Sequence, residues 1–345
     1  DYRAYVKAYT GWVYKCASKI ATDMASNEMK LNQVKRDGEL EEVKQHIFLD
    51  NIGLGGKGQK PNPNRSYTMF MERLSTFLDL TGNGYIYLLQ NRLKIPQEFW
   101  VVPSQHMKVV PGREQLVQGY IYDDGGGEKA AIGYEEILHI KYPNPKSEYY
   151  GMSILEAAQH DLDLRDYMSD YEDSLYRNKG RPDVIITSEH ELNIDQRDRI
   201  IADYNRLYRG KKSMGKVAVI SHGAKIEPFS TKPIDLEFDK GKLRMREEIC
   251  SYFGIPPFLM GIGKEAANRS VAETMRAEYM RGVIEPRLKR MAHFFNFFVM
   301  PLYKSSRPLL VSFDSPVPED KEHAVKDRES RLKSYMSSIN EERQR

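Results

Sequence analysis

Cysteine, tryptophan and net charge are all scarce in this sequence. Two cysteines, Cys16 and Cys250, stand in 345 residues, far apart and with no C-x-x-C partner. That excludes a disulfide framework and a zinc site of the usual spacing, and points to buried thiols in a reducing compartment. The eight histidines are scattered without an H-E-x-x-H, so neither a metal nor a cofactor is expected. Lysine plus arginine (52) barely exceed the acids (49), so bulk charge does not draw the chain to nucleic acid and any DNA contact must be local. The longest apolar run, "FFNFFVMPLY" at 294–303, is about half what a bilayer crossing needs, so no membrane partner is expected. No secretory-type segment opens the sequence, and its start at Asp1 reads as that of a trimmed or processed chain.

What is present is a foldable but polar composition, 40% hydrophobic and 29% charged. It suits two or three domains, or one elongated subunit that completes its core through neighbours. Residues 2–26 carry Val6, Trp12, Val13, Cys16, Ile20 and Met24 at helical spacing and predict one helix. Residues 51–66 are a glycine-rich loop, and "YTMFMERLSTFLDLTG" predicts a second helix ending near Gly82. Short aromatic and β-branched runs from "NGYIYLL" to "EILHIKYP" follow, separated by Gly and Pro, and predict a meandering antiparallel sheet. "DDGGGE" is its hairpin turn. The fold class expected is therefore α+β.

At Ser153 the pattern changes. "SILE" predicts a capping box opening a long helix to about residue 179, with Leu164, Met168, Tyr171 and Leu175 on one stripe. Its other faces are acidic: Glu156, Asp161, Asp163, Asp166, Asp170, Glu172 and Asp173, against Arg165. A solvated helix face is the plain reading of such a run. Strand, helix, basic loop and strands occupy 180–229, and a second long helix runs over 236–253 until Gly254 and "IPP" stop it. A third helical stretch, 271–299, has an apolar stripe of Ile284, Leu288, Met291, Phe295, Phe298 and Leu302, with Pro286 predicting a kink near Glu285. "PLLVSF" is a last strand, followed by a polar helix.

Two glycine-lysine loops raise the question of nucleotide chemistry. A phosphate loop needs G-x-x-x-x-G-K-[ST] with a helix starting at the lysine. In "GIGKE" (261–265) Glu265 replaces the hydroxyl, and "SVAE" predicts that the helix starts only at a Ser270 cap. "GLGGKGQK" (53–60) also lacks the Ser/Thr, and prolines follow it. No G-x-S-x-G is present, so no catalytic residues are expected, although a nucleotide-hydrolysing enzyme and an oligomeric adaptor without a DNA role both stay open as alternatives.

The order of elements resembles that of tailed-bacteriophage portal proteins, the family shared with HK97-type phages. The resemblance rests on "LTGNGYIYLL", "YYGMSILEAA", "CSYFGIPPFLMG", "VIEPRLKRM" and "INEERQR", in that order along most of the chain. It implies an elongated subunit of a roughly twelve-membered ring at one capsid vertex, assembled in a host bacterial cytoplasm and retained in the virion. Double-stranded DNA would pass through without sequence preference during packaging and ejection. The large terminase, major capsid and scaffold proteins, and head–tail adaptor proteins would be its partners.

By that resemblance 1–152 is an α/β wing, 153–179 and 235–253 are stem helices, and 180–230 is a small α/β clip. Residues 254–269 form a connector and tunnel loop, 270–304 a kinked tunnel helix, 305–317 a wing strand, and 318–345 the start of a crown that continues further in the family. Gly261, Gly263, Lys264, Asn268 and Arg269 would meet DNA phosphates in the tunnel loop, weakly and without reading bases. Asp161, Asp163, Asp166, Asp170 and Asp173 would line the channel and repel the duplex, since strong phosphate neutralisation would hold it. Arg206, Arg209, Lys211, Lys212 and Lys216 of the clip would serve docking. An ordinary solvated loop is the plain reading of both basic groups.

Overall fold

In the computed structural model, the described residues are 2–35, 38–56, 58, 60–127, 129–178, 184–188, 193–195, 198–199, 202, 224–228, 238–263, 269–305 and 307–317, with 171–178, 184–188, 224–228, 238–239 and 269 as backbone only. The chain divides into two compact units: Asp1–Gln159 with Leu243–Arg345, and His160–Lys242.

In the first unit, helix α1 (Tyr2–Lys7) and helix α2 (Gly11–Ala25) replace the one helix expected. Thr10 is extended and Gly11 takes a positive φ of 55°, so the helical path restarts there. Strands β1 (Met29–Val34) and β2 (Leu40–Glu42) and helices α3 (Ile47–Ile52) and α4 (Tyr67–Thr81) follow. Helix α4 matches expectation: Ser66 accepts from Met69 N at its start, and Gly82, at φ 72°, ends it. The core forms where α2 (Val13, Cys16, Ile20, Met24) packs on α4 (Phe70, Met71, Leu74, Leu78), all of these buried.

Two antiparallel sheets stand in place of one meander. Strand β3 (Asn83–Gln90) lies between β4 (Pro96–Val102) and β8 (Ile137–Lys141), while β6 (Val117–Asp123) lies between β5 (Met107–Pro111) and β7 (Lys129–Gly133). They share a cluster of Tyr85, Met107, Val117, Tyr120 and Ile137. The last strand comes from far along the sequence: β11 (Leu309–Phe313) pairs with β1, Met29 opposite Phe313.

The long helix expected from Ser153 is divided into α5 (Ile154–Ala157) and α6 (Gln159–Asn178). Ser153 is the cap, accepting from Leu155 N at 2.9 Å, but Glu156 meets Lys146 at 3.2 Å instead of completing a capping box. In the second unit α6 is accompanied by the antiparallel pair β9 (Val184–Ser188) and β10 (Ala224–Pro228). Helix α7 (Phe238–Phe253) follows, and Gly254, at φ 72°, stops it as expected.

Helix α8 (Arg269–Tyr279) places Ser270 inside its first turn rather than at its cap; the hydroxyl of Thr274 donates to the Ser270 carbonyl at 3.0 Å. The expected kink takes a specific form. A π turn, Met280–Ile284, precedes helix α9 (Glu285–Phe294), with Pro286 in that helix's first turn. Proline there has no N–H to offer and would press on a carbonyl four residues back; the wider π turn accommodates both. A second π turn, Phe295–Val299, corrects the expected apolar stripe. Ile284, Leu288, Met291 and Phe295 are buried, but Phe298 is 42% exposed and Val299 takes the core position. A π turn adds one residue to the cycle, rotating everything after it by roughly 100°.

Candidate functional site

The glycine loop after α7 is the natural candidate. Helix α7 closes with Gly254 N donating to Ser251 O and Ile255 N to Cys250 O, each at 2.9 Å. A 3₁₀ turn, Pro257–Met260, carries the chain to Gly261. Gly261 (φ 76°) and Gly263 (φ 93°) both occupy left-handed backbone that other residues rarely adopt, which is the physical reason for glycine at each. Between them Ile262 is buried and its N–H donates to Pro257 O at 3.1 Å, pinning the near side of the loop. Lys264 and Asn268 lie outside the described residues. Arg269 opens α8, described by backbone alone.

The far side of the loop is tied down by charge. Tyr279, at the end of α8, is buried, and its hydroxyl donates to Asp23 Oδ2 at 2.8 Å; Lys19 holds the same carboxylate. Directly after Pro286, Arg287 reaches Asp79 at 3.5 Å and also donates to Val283 O at 3.1 Å. Asp79 is completely buried in α4 and accepts a second bond, 2.8 Å, from the Tyr142 hydroxyl. Burial pushes the Asp79 carboxyl above its ordinary value, while Arg287 and then Tyr142 oppose that. Arg290 stacks over the Tyr142 ring at 4.8 Å and thickens the cluster. Such a pair is held by geometry, because desolvation consumes much of its attraction.

A second joint lies where the chain leaves β8 for α5. Asn83, fully buried, donates to Thr81 O and Gly151 O and accepts from Gly151 N at 2.7 Å. His139 Nε2 lies 3.0 Å from the same Asn83 oxygen, and since that atom only accepts, the imidazole must donate to it. Burial pushes the His139 imidazole down to about 3, with Lys141 adding to the effect, so the ring is neutral. Tyr142 N donates to Gly82 O, and the Ser153 hydroxyl to Leu80 O. A Cβ on Gly151 would lie 2.0 Å from Gly82 O, and one on Gly82 would lie 2.5 Å from Met152 backbone. "LTGNGY" and "YYGMS" are thus two halves of one joint.

Helix α6 carries the acidic candidates. At about 100° per residue, Asp163, Asp166, Asp170 and Asp173 fall on one stripe, whereas Asp161, two residues before Asp163, faces about 160° away. Asp163, Asp166 and Asp170 are exposed; Asp173 is described by backbone alone. Arg165 pairs with Asp166 at 2.7 Å, which softens the negative stripe at that point. The clip residues Arg206, Arg209, Lys211, Lys212 and Lys216, and the crown segment 318–345, lie outside the described residues.

Sequence reasoning missed Asp79, Arg287, Tyr279 and Asn83. One signal was available, a carboxylate amid the apolar residues of "FLDLTG"; its partner 208 residues away had none. Among the described residues no group of three or more His, Cys, Asp or Glu could hold a metal, and no helix is long and apolar enough to cross a membrane.

Comparison with known proteins places this arrangement. A family model described as "Phage portal protein" matches residues 12–344. An uncharacterized protein of Rickettsia bellii is 28% identical over 312 residues, covering 88% of this chain and 77% of that protein. The portal protein of Enterobacteria phage HK97 is 21% identical over 291 residues, 84% of this chain and 66% of its own length. A solved chain from the neck of a native GTA particle computed with C12 symmetry superposes with a TM-score of 0.69 at 24% identity, covering 97% of this chain and 89% of that one. With helices and antiparallel sheets arranged as in those structures, and a family match running almost end to end, this chain belongs to the phage portal protein family.

Proposed function

We propose that this chain is a ring subunit through which double-stranded DNA enters and leaves a capsid. About twelve copies close head to tail at one vertex of the virion, having assembled in a host bacterial cytoplasm. The observation that carries this reading is the family match over residues 12–344, which takes in the loop and both of its anchors. The twelve-fold symmetry of the GTA neck supports the copy number. On this reading 1–152 with 305–317 is the wing, 153–179 and 235–253 the stem, 180–230 the clip, 254–269 the connector and tunnel loop, and 270–304 the tunnel helix.

Each part then has a physical task. Lys264 and Arg269, repeated around the ring, make weak, sequence-blind phosphate contacts, with Gly261, Gly263 and Asn268 letting the loop adjust. The stripe of Asp163, Asp166, Asp170 and Asp173 repels the duplex, so that DNA is centred rather than gripped. Asp161, on the opposite side of α6, takes another role. Arg206, Arg209, Lys211, Lys212 and Lys216 dock the large terminase and later the head–tail adaptor proteins, while the wing meets major capsid and scaffold proteins. The ring is a conduit and platform; ATP hydrolysis belongs to the docked motor.

Native mass spectrometry tests this. A closed assembly of about twelve chains of 40.0 kDa, without ATPase activity of its own, is the expected result. A monomer that hydrolyses ATP would overturn it.

A further inference from the structure

The two cysteines, 234 residues apart, face each other: Cys16 Sγ lies 3.8 Å from Cys250 Sγ. Cys16 is in the middle of α2, and Cys250 is in the last turn of α7, four residues before Gly254. Both are completely buried and both are free thiols. The helices that carry them also meet beside the thiols, where the Arg246 guanidinium sits over the Trp12 ring at 5.6 Å.

We propose that Cys16 and Cys250 are a latent disulfide, open in a reducing cell and closed once the protein meets an oxidising medium, which clamps the end of α7 onto α2. A disulfide bond of about 2.05 Å requires the sulfurs to approach by about 1.8 Å, a side-chain and helix-end adjustment rather than a refolding. One thiol loses its proton and its thiolate attacks a small-molecule disulfide, releasing one small thiol and leaving a mixed disulfide on the protein. The other cysteine, as thiolate, attacks the protein sulfur of that mixed disulfide, forming the Sγ–Sγ bond and expelling the second small thiol. Two protein thiols are oxidised and one external disulfide is reduced to two thiols. The hydrogen bond from Cys16 favours the Cys250 thiolate as nucleophile, lowering its pKa. Burial makes closure slow, and it makes the closed bond slow to reduce.

The consequence for the loop rests on the portal reading. Residues 254–263 leave α7 within one turn of Cys250, so the clamp fixes the near side of the DNA-facing loop in released particles. The bond itself is read on a single chain and stands or falls apart from that reading.

The test uses the purified full chain, reduced, freed of reductant, and incubated with excess oxidised glutathione under native conditions. Intact mass, thiol alkylation after denaturation and a non-reducing peptide map are then taken. We expect alkylatable thiols to fall from two to none per chain, the mass to drop by two hydrogens, and one peptide pair joining Cys16 to Cys250. Hydrogen exchange at backbone amides 246–255 should slow about tenfold on oxidation, and stay unchanged in identically treated Cys16→Ser. Stable glutathione adducts, links between chains, or both thiols still free would overturn the proposal, the last whether or not the lone thiol of Cys16→Ser or Cys250→Ser reacts. A closed bond with unaltered exchange would overturn the clamp.

Discussion

The joint residues and the charged surfaces of this chain follow opposite rules. At Asn83–Gly151 the buried polar groups are paired and a Cβ on Gly151 finds no room, while Asp79–Arg287 is a buried ion pair in which Asp79 Oδ2 and Arg287 Nε have no hydrogen-bond partner. On α6, Asp163 and Asp170 are exposed and their stripe is defined by helical phase alone. The first kind of region fixes where helices start and end. The second kind has no packing role at its exposed carboxylates, and tolerates variation that would unfold the first.

Breaking the joints should give the largest effects. Asp79→Ala strands Arg287 in the core and should cost about 3–5 kcal/mol in chemical denaturation. The double change Asp79→Leu with Arg287→Met should recover most of that loss, because it removes both charges together. If the single and double variants are equally unstable, the pair is not what holds α9 to α4. Gly151→Ala comes next: its Cβ would strike the Gly82 carbonyl, so a loss of about 3 kcal/mol or more is expected, read as a fall in melting temperature.

A pH titration sharpens the same side of the comparison. His139 is held at about 3, below its ordinary 6.5, so the unfolded chain takes up a proton that the folded one refuses. Stability is therefore whole above about pH 6.5 and declines as pH falls toward 3, by at most about 1.4 kcal/mol per unit from this group. Denaturation of the wild type and of His139→Asn at pH 7 and pH 5 should show a shallower decline in the variant. Parallel declines would place the acid sensitivity elsewhere, with the half-buried His46, whose imidazole burial also pushes down, as the next group to test.

The predicted effects shrink at the surface. Changing Asp163, Asp166, Asp170 and Asp173 together to Asn should alter stability by less than about 1 kcal/mol. It should raise the affinity of assembled rings for duplex DNA, with a stronger dependence on salt. Unchanged affinity would mean that this stripe does not face the duplex.

Local features of this architecture were legible in the sequence, and distant ones were not. Ser66 and Gly82 mark α4, Gly254 ends α7, and "PLLVSF" is a strand, because caps and alternation act over a few residues. Pro286 announces a kink at the first π turn, but the second is hidden, since it shifts helical phase without any residue that announces it. Regular helical spacing therefore puts Phe298 on the apolar stripe, whereas Val299 is the residue buried there. The pairing of β1 with β11, the meeting of Asn83 with Gly151 across 68 residues, and the approach of the two cysteines depend on the whole chain. For the loop, glycine chemistry and the failed nucleotide motif were both readable, but the ion pairs that anchor it were not.

The most direct test of the account is DNA packaging with rings bearing Lys264→Ala and Arg269→Ala. Rings of unaltered mass, with stability within about 0.5 kcal/mol of wild type, that package or retain DNA poorly are expected. Intact variant rings that package and hold DNA as well as wild type would contradict it.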